Sequence, residues 1–117
     1  MAPLPLLAAL AALFPAASAP ESMFVLSMAR GETVHMATLT CQPAGGGHPS
    51  PDDACLALSD VDGQFTGLST GQAFCTLEYD PVTVRASGKW RGETRLFEAT
   101  FPNPCVMRAE TGPVFDF

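Results

Sequence analysis

Apolar positions divide this chain of 117 residues into one long N-terminal run and several short, separate segments. Residues 23–29 are mostly apolar and end at the turn signal Arg30-Gly31, and residues 33–40 are rich in β-branched side chains. These two segments predict a β-hairpin. Residues 82–90 and 93–101 flank a second turn signal, Arg91-Gly92, and predict a second hairpin.

After the first hairpin, the spacing of the apolar residues changes from that of a strand to that of a helix. Ser50-Pro51-Asp52-Asp53 is typical of a helix start, because proline fits the first turn and acidic side chains favour the positive end of the helix dipole. Apolar residues then recur at helical spacing as far as Asp62-Gly63. Residues 106–110 predict one short helical turn, and the alternation of residues 114–117 predicts a final edge strand. The pattern as a whole predicts an α+β domain with a five-stranded antiparallel sheet and two helices.

The N-terminal run is typical of a secretory signal peptide. Residues 1–13 are uncharged and rich in Leu and Ala, and the small residues 16–19 resemble a cleavage site. The run is shorter than the ~20 residues that span a bilayer, and three prolines interrupt it. We therefore predict a signal peptide over residues 1–19, a domain over residues 20–117 and secretion from the cell. Cleavage after Ser18 is an alternative to cleavage after Ala19.

The charge balance excludes two classes of partner. Six basic and twelve acidic side chains give a net charge of −6, and the basic residues form no cluster. Nucleic acids and anionic membrane surfaces are bound through positively charged surfaces. We predict neither as a partner.

Four cysteines in a short exported chain predict two disulfide bonds: Cys41, Cys55, Cys75 and Cys105. The sequence allows three pairings. We favour Cys41 with Cys55 and Cys75 with Cys105, because each bond then ties a loop to a neighbouring element. The cysteines form no C-x-x-C pair, and neither histidine lies at ligand spacing from them, so we predict no metal and no cofactor.

An enzyme is not indicated. The two histidines, His35 and His48, have no evident partners, and no Gly-x-Ser-x-Gly motif is present. The acidic side chains are scattered over turns and helix ends, which gives no pair suited to acid–base catalysis.

Residues 74–81 form a stretch of a different kind. Leu77 follows Cys75 by two residues, and the stretch ends at Asp80-Pro81. Proline fixes its own φ angle and restricts the backbone conformation of the preceding residue, Asp80. We predict an extended loop, tied by a disulfide at one end and by Pro81 at the other. An exposed, tethered segment with a central leucine is what a serine protease would accept as a substrate.

Several motifs, in one order and with matching spacing, resemble the Streptomyces subtilisin inhibitor family of secreted serine protease inhibitors. The resemblance covers residues 39–117. The matching motifs are Leu39-Thr-Cys-Gln-Pro, Gly47-His-Pro-Ser-Pro, Ala54-Cys-Leu-Ala-Leu, Cys75-Thr-Leu-Glu-Tyr-Asp-Pro-Val, Gly88-Lys-Trp-Arg-Gly, Phe101-Pro-Asn-Pro-Cys and Val114-Phe-Asp-Phe.

The resemblance implies a reactive-site loop whose scissile bond joins Leu77 to Glu78. It places Phe74, Cys75 and Thr76 before that bond, at positions P4 to P2, and Tyr79 and Asp80 after it. Pro81 and Asn103 would support the loop. It also implies sequential disulfides, a homodimer built through the sheet, and binding to subtilisin-like or chymotrypsin-like proteases. Glu78 places a negative charge directly after the scissile bond, which weakens binding to some proteases.

An alternative from another class is a secreted, disulfide-stabilised domain without inhibitory activity that binds a partner through its sheet. Only the inhibitor requires residues 74–80 to be exposed and extended.

Overall fold

The computed structural model describes residues 19–71 and 74–117. The predicted signal peptide lies outside these residues, apart from Ala19, and stays a prediction.

Four strands form one antiparallel sheet, and both predicted hairpins are confirmed. Their order across the sheet is β2-β1-β3-β4, so β1 and β3 are central and pair with each other. The strands are β1 (Ser22–Arg30), β2 (Thr33–Cys41), β3 (Val82–Trp90) and β4 (Glu93–Phe101).

The two faces of the sheet differ. Side chains along β1 alternate, so that Phe24 and Leu26 are buried whereas Met23 and Val25 are exposed. This period of two turns one face toward the helices and leaves the other open. We call the open side the outer face. Its exposed apolar side chains are Met23, Val25, Val34, Met36 and Leu96.

Two helices lie on the inner face. Helix α1 (Pro51–Asp60) packs against β2, and the Cys41–Cys55 disulfide joins the two elements. Helix α2 (Pro104–Thr111) packs against β4 and is longer than the single turn predicted. Within the described residues, no helix combines the length and the apolar character needed to cross a membrane.

Aromatic side chains dominate the core between sheet and helices. Phe24 meets Phe65 edge to face with 5.1 Å between ring centroids, and Phe65 also stacks on Phe97 at 5.5 Å. Trp90 is buried and stacks on Phe24 with 6.5 Å between ring centroids, and its indole N–H donates to the Asp62 carboxylate over 3.2 Å. These aromatic side chains form the part of the core that packs against the inner face of the sheet.

The predicted fifth strand is wrong: in residues 19–71 and 74–117 the sheet has four strands. Residues 114–117 form a turn and an irregular end instead, with Val114 N–H donating to Thr111 O and Asp116 N–H to Pro113 O. A strand would turn Val114 and Phe115 to opposite faces, whereas both side chains are fully buried. The segment folds over the core rather than along a sheet edge because both side chains can then be buried.

Candidate functional site

Residues 74–80, which we call the binding loop, carry exposed apolar side chains ahead of β3. Relative exposures reach 105% for Phe74, 101% for Leu77 and 83% for Tyr79. The loop has no regular secondary structure. Three large apolar side chains with almost no contact to their own chain mark a surface that is suited to binding a partner.

A covalent bond holds the first half of the binding loop. Cys75 and Cys105 form a disulfide with 5.7 Å between their Cα atoms, so Cys75 is fixed to the first turn of α2. Just ahead of the loop, the backbone N–H and the hydroxyl of Thr70 both donate to Ala109 O, over 3.0 and 3.1 Å. Helix α2 is therefore the base on which this half of the loop rests.

Asn103 supports the centre of the binding loop through hydrogen bonds to its backbone. Its side chain is 1% exposed, and its Nδ2 donates to Thr76 O over 3.2 Å and to Glu78 O over 3.0 Å. Its Oδ1 accepts from Val106 N–H over 2.9 Å and so caps helix α2. The two carbonyls that flank Leu77 are held inward by one buried amide, while Leu77 itself points to solvent.

Two contacts hold the second half of the binding loop. Asp80 N–H donates to Pro102 O over 2.7 Å, and the Asp80 carboxylate forms a salt bridge with the guanidinium of Arg30 at the end of β1. Pro81 then leads directly into β3.

The salt bridge shifts the pKa values of its two partners in opposite directions. The hydrogen bond from Arg30 lowers the pKa of Asp80 below its ordinary value, and the bond to Asp80 raises the pKa of Arg30, with a smaller contribution from the charge of Glu78. Because the pKa of Asp80 is lowered in the folded state, the pair is intact at neutral pH. It is lost only as the pH falls through that lowered pKa.

The two histidines lie in different environments, and His35 lines a cleft together with Asp80 of the binding loop. His35 is exposed on β2. His48 is buried, where Nδ1 accepts from Ser50 N–H over 2.9 Å and Nε2 therefore donates to Val114 O over 2.8 Å. In residues 19–71 and 74–117, no three His, Cys, Asp or Glu side chains gather into a group that could hold a metal ion.

Arg30 is a loop-supporting residue that was not predicted from the sequence. It lies 50 residues before Asp80, and nothing local indicates that β1 ends beside the loop. The capping role of Asn103 had a signal, since asparagine followed by proline is typical of a helix start.

Comparison with known proteins places this geometry in a family. A family model described as subtilisin inhibitor-like matches residues 20–103. Subtilisin inhibitor-like protein 5 of Streptomyces fradiae is 45% identical over 107 residues, which cover 85% of this chain and 99% of that protein. A subtilase-type protease inhibitor of the same organism is 45% identical over 108 residues, covering 85% of this chain and 75% of the relative.

A solved structure shares the fold. It is that of Streptomyces caespitosus sermetstatin in complex with Bacillus licheniformis subtilisin. The TM-score is 0.66 at 35% sequence identity, and the match covers 82% of this chain and 98% of sermetstatin. Together with the family model and the Streptomyces fradiae relatives, this likeness shows that the chain belongs to the subtilisin inhibitor-like family.

Proposed function

We propose that this chain inhibits serine proteases by presenting its binding loop as a substrate, with Leu77–Glu78 as the scissile bond. The observation that carries the proposal is the arrangement at Asn103. One buried side chain holds the carbonyls of Thr76 and Glu78, while Leu77 between them is fully exposed.

The exposed side chains suit the subsites of such an enzyme. Leu77 would enter an apolar S1 pocket, Phe74 would fill a large apolar S4 pocket, and Tyr79 would contact the S2′ side. The disulfide, Asn103 and the salt bridge fix the loop before binding. Little conformational entropy is then lost on association, which favours high affinity.

The same contacts explain why cleavage would not release the enzyme quickly. After hydrolysis the new carboxyl end at Leu77 stays tied through Cys75 to Cys105, and the new amino end at Glu78 stays held through its carbonyl by Asn103. Because both ends remain close, the peptide bond can be formed again.

We infer subtilisin-like enzymes as the main targets, with chymotrypsin-like enzymes as a second class. An apolar leucine at P1 suits both, whereas a trypsin-like S1 pocket selects lysine or arginine. Sermetstatin, the structural relative described above, binds a subtilisin. The carboxylate of Glu78 at P1′ would disfavour enzymes with an acidic S1′ side.

We also propose that the chain is not itself an enzyme. Both ring nitrogens of His48 are engaged by the backbone, so this histidine is not available as a base. Incubating the purified protein with a panel of peptide and ester substrates should give no turnover above the buffer rate.

We also propose that the chain is exported from the cell through a signal peptide over residues 1–19. Two disulfide bonds suit an oxidising compartment outside the cell. Mass spectrometry of protein secreted by a host that expresses the full chain should find an N-terminus at Pro20, or at Ala19 for the alternative cleavage. Retention of Met1 in the medium would contradict the signal peptide.

We propose a homodimer formed through the outer face. Its exposed apolar side chains include Val25 on β1 and Met36 on the neighbouring strand β2, with Leu96 farther along the face on β4, beyond Ser87 of β3. Such a surface on one side of a sheet is suited to pairing with a second copy.

Titration against subtilisin tests the function. The mature protein should inhibit subtilisin with one binding loop per enzyme molecule, and Leu77→Lys should weaken that inhibition and create inhibition of trypsin. Leu56→Lys is the matched control, because Leu56 is an exposed leucine on α1, away from the loop. Absence of subtilisin and chymotrypsin inhibition by the native protein at micromolar concentration would overturn the proposed function.

A further inference from the structure

The two halves of the binding loop are held by different kinds of bond. The half before Leu77 is held covalently, through Cys75 and Cys105. The half after Leu77 is held without a covalent bond, by Asn103 on Glu78 O, by Pro102 O on Asp80 N–H and by the salt bridge from Arg30. The second half is therefore the one that can leave after cleavage.

Arg30 is well placed to act on that half. It is the last residue of β1, a central strand that pairs with β2 and β3 on its two sides. In the second pairing Arg30 lies opposite Val82, two residues after Asp80. The guanidinium thus reaches from a firmly held backbone to the loop residue nearest the start of β3.

Asp80 borders an open part of the surface on the side of the β1–β2 hairpin. An open cleft of about 530 Å³ lies between the tip of the β1–β2 hairpin and the loop, and its lining includes Met28, Glu32, His35 and Asp80. Among the described residues that line the cleft, Arg30 is the one arginine or lysine. It faces two loop carboxylates, those of Asp80 and Glu78, which are two residues apart and would otherwise repel each other.

We propose that Arg30 is a positioning residue that retains the leaving half of the binding loop through its salt bridge with Asp80. This inference rests on the proposed function. In the first step the serine oxygen of the protease takes the Leu77 acyl group, and the Glu78 amine leaves with a proton. In the reverse step that amine attacks the acyl ester, the Leu77–Glu78 bond forms again, and the serine recovers its proton. Water competes for the ester and would leave a carboxylate at Leu77 and an ammonium group at Glu78.

Retention by Arg30 favours the reverse step over hydrolysis. While Asp80 is held, the Glu78 amine remains beside the ester and excludes water. Without the salt bridge, residues 78–80 move away more often, so the cleaved inhibitor accumulates faster and inhibition weakens.

A double-mutant cycle tests this role: the native protein, Arg30→Gln, Asp80→Asn and the double variant, each incubated with subtilisin. The readouts are the inhibition constant and the rate at which Leu77–Glu78 is cleaved. We expect each single variant to raise both by about twofold to fivefold, the range that exposed ion pairs give. The double variant should be no worse than the single ones, and 1 M NaCl should reduce the advantage of the native protein.

Arg85→Gln is the matched control. It removes another exposed salt bridge, to Glu98 at 3.2 Å, on the outer face of the sheet. Cleavage and inhibition should stay at native values in this variant, because the pair does not touch the binding loop.

The outcomes are distinguishable. A native protein that does not inhibit subtilisin removes the proposed function, and this inference with it. A native protein that inhibits, with Arg30→Gln equal to it, overturns the inference alone. So does an Arg30→Gln effect of full size in the Asp80→Asn background, which would mean that Arg30 contacts the protease directly. An equal effect of Arg85→Gln would mean that the effect is not specific to the salt bridge of the loop, and would also overturn it.

Discussion

At the scale of single residues, Asn103 joins folding to function. Its Oδ1 caps α2, and its Nδ2 holds the two carbonyls beside Leu77. The cap stabilises the helix that carries Cys105, while the two loop bonds fix the shape that a protease would bind. These roles use different atoms, so substitution can separate them.

Asn103→Ser keeps a hydroxyl that can cap α2 but is too short to reach the loop carbonyls. We expect its free energy of unfolding to stay within about 1 kcal/mol of native, while the inhibition constant for subtilisin rises roughly tenfold to a hundredfold, as for the loss of two neutral hydrogen bonds. Asn103→Ala should raise the inhibition constant equally and lose a further ~1 kcal/mol of stability with the cap. Denaturant titration and inhibition assays measure both quantities.

Native inhibition by Asn103→Ser would mean that the loop keeps its shape without the amide. In that case the disulfide and the salt bridge would be sufficient support.

These residues were predictable from the sequence to different degrees. Leu77 and Asn103 came from a motif resemblance, and the exposure that the inhibitor requires of Leu77 is present in the structure. Arg30 could not be predicted, because its partner Asp80 is distant in sequence and the meeting depends on where β1 ends relative to the loop. Contacts between exposed side chains on separate elements leave no periodic signal in a sequence.

At the scale of elements, the regular segments were predictable and the chain end was not. Both hairpins and α1 follow the apolar period of the sequence, since each buries one face. Residues 114–117 also alternate, yet Pro113 lacks an N–H for a strand ladder and Gly112 has a φ of 59° that breaks extended structure. With four residues, the pattern is too short to distinguish a strand from a buried turn.

A buried turn at residues 114–117 predicts larger losses of stability on mutation than an edge strand would. Val114→Ala should cost roughly 2 kcal/mol and Phe115→Ala about 3–5 kcal/mol, because both side chains are fully buried and Phe115 packs against both Phe65 and Phe97. The free energies of unfolding in urea measure this. Leu56→Ala, at an exposed position, should stay within about 0.5 kcal/mol of native.

An edge strand would expose one of the two side chains. A cost for Val114→Ala as small as that for Leu56→Ala would therefore argue against the buried turn.

At the scale of the whole molecule, the binding loop and the outer face are separate surfaces. The loop rests on α2, Asn103 and Arg30, whereas the outer face turns away from both helices. A second copy docked on the outer face would use none of the contacts that hold the loop. We therefore expect dimer formation and inhibition to be independent.

Met36→Lys tests that independence. A lysine in the exposed apolar surface should convert the dimer to a monomer in sedimentation velocity at micromolar concentration, since two buried charges would meet without partners. Inhibition of subtilisin per loop should not change. Leu56→Lys serves again as the control and should remain dimeric.

A native protein that sediments as a monomer would remove the proposed dimer and leave the inhibitor proposal intact. A Met36→Lys protein that stays dimeric would place the interface elsewhere.

The full exposure of Leu77 has a consequence for how such a chain can change over generations. Selection on folding acts through buried contacts, and this side chain has none to lose; exposed substitutions usually alter stability by less than about 0.5 kcal/mol. Under the proposed function, a change of one codon at Leu77 would therefore redirect the protein from one class of protease to another with no other change in the sequence. Diversification of targets can proceed at this position without waiting for compensating mutations in the core.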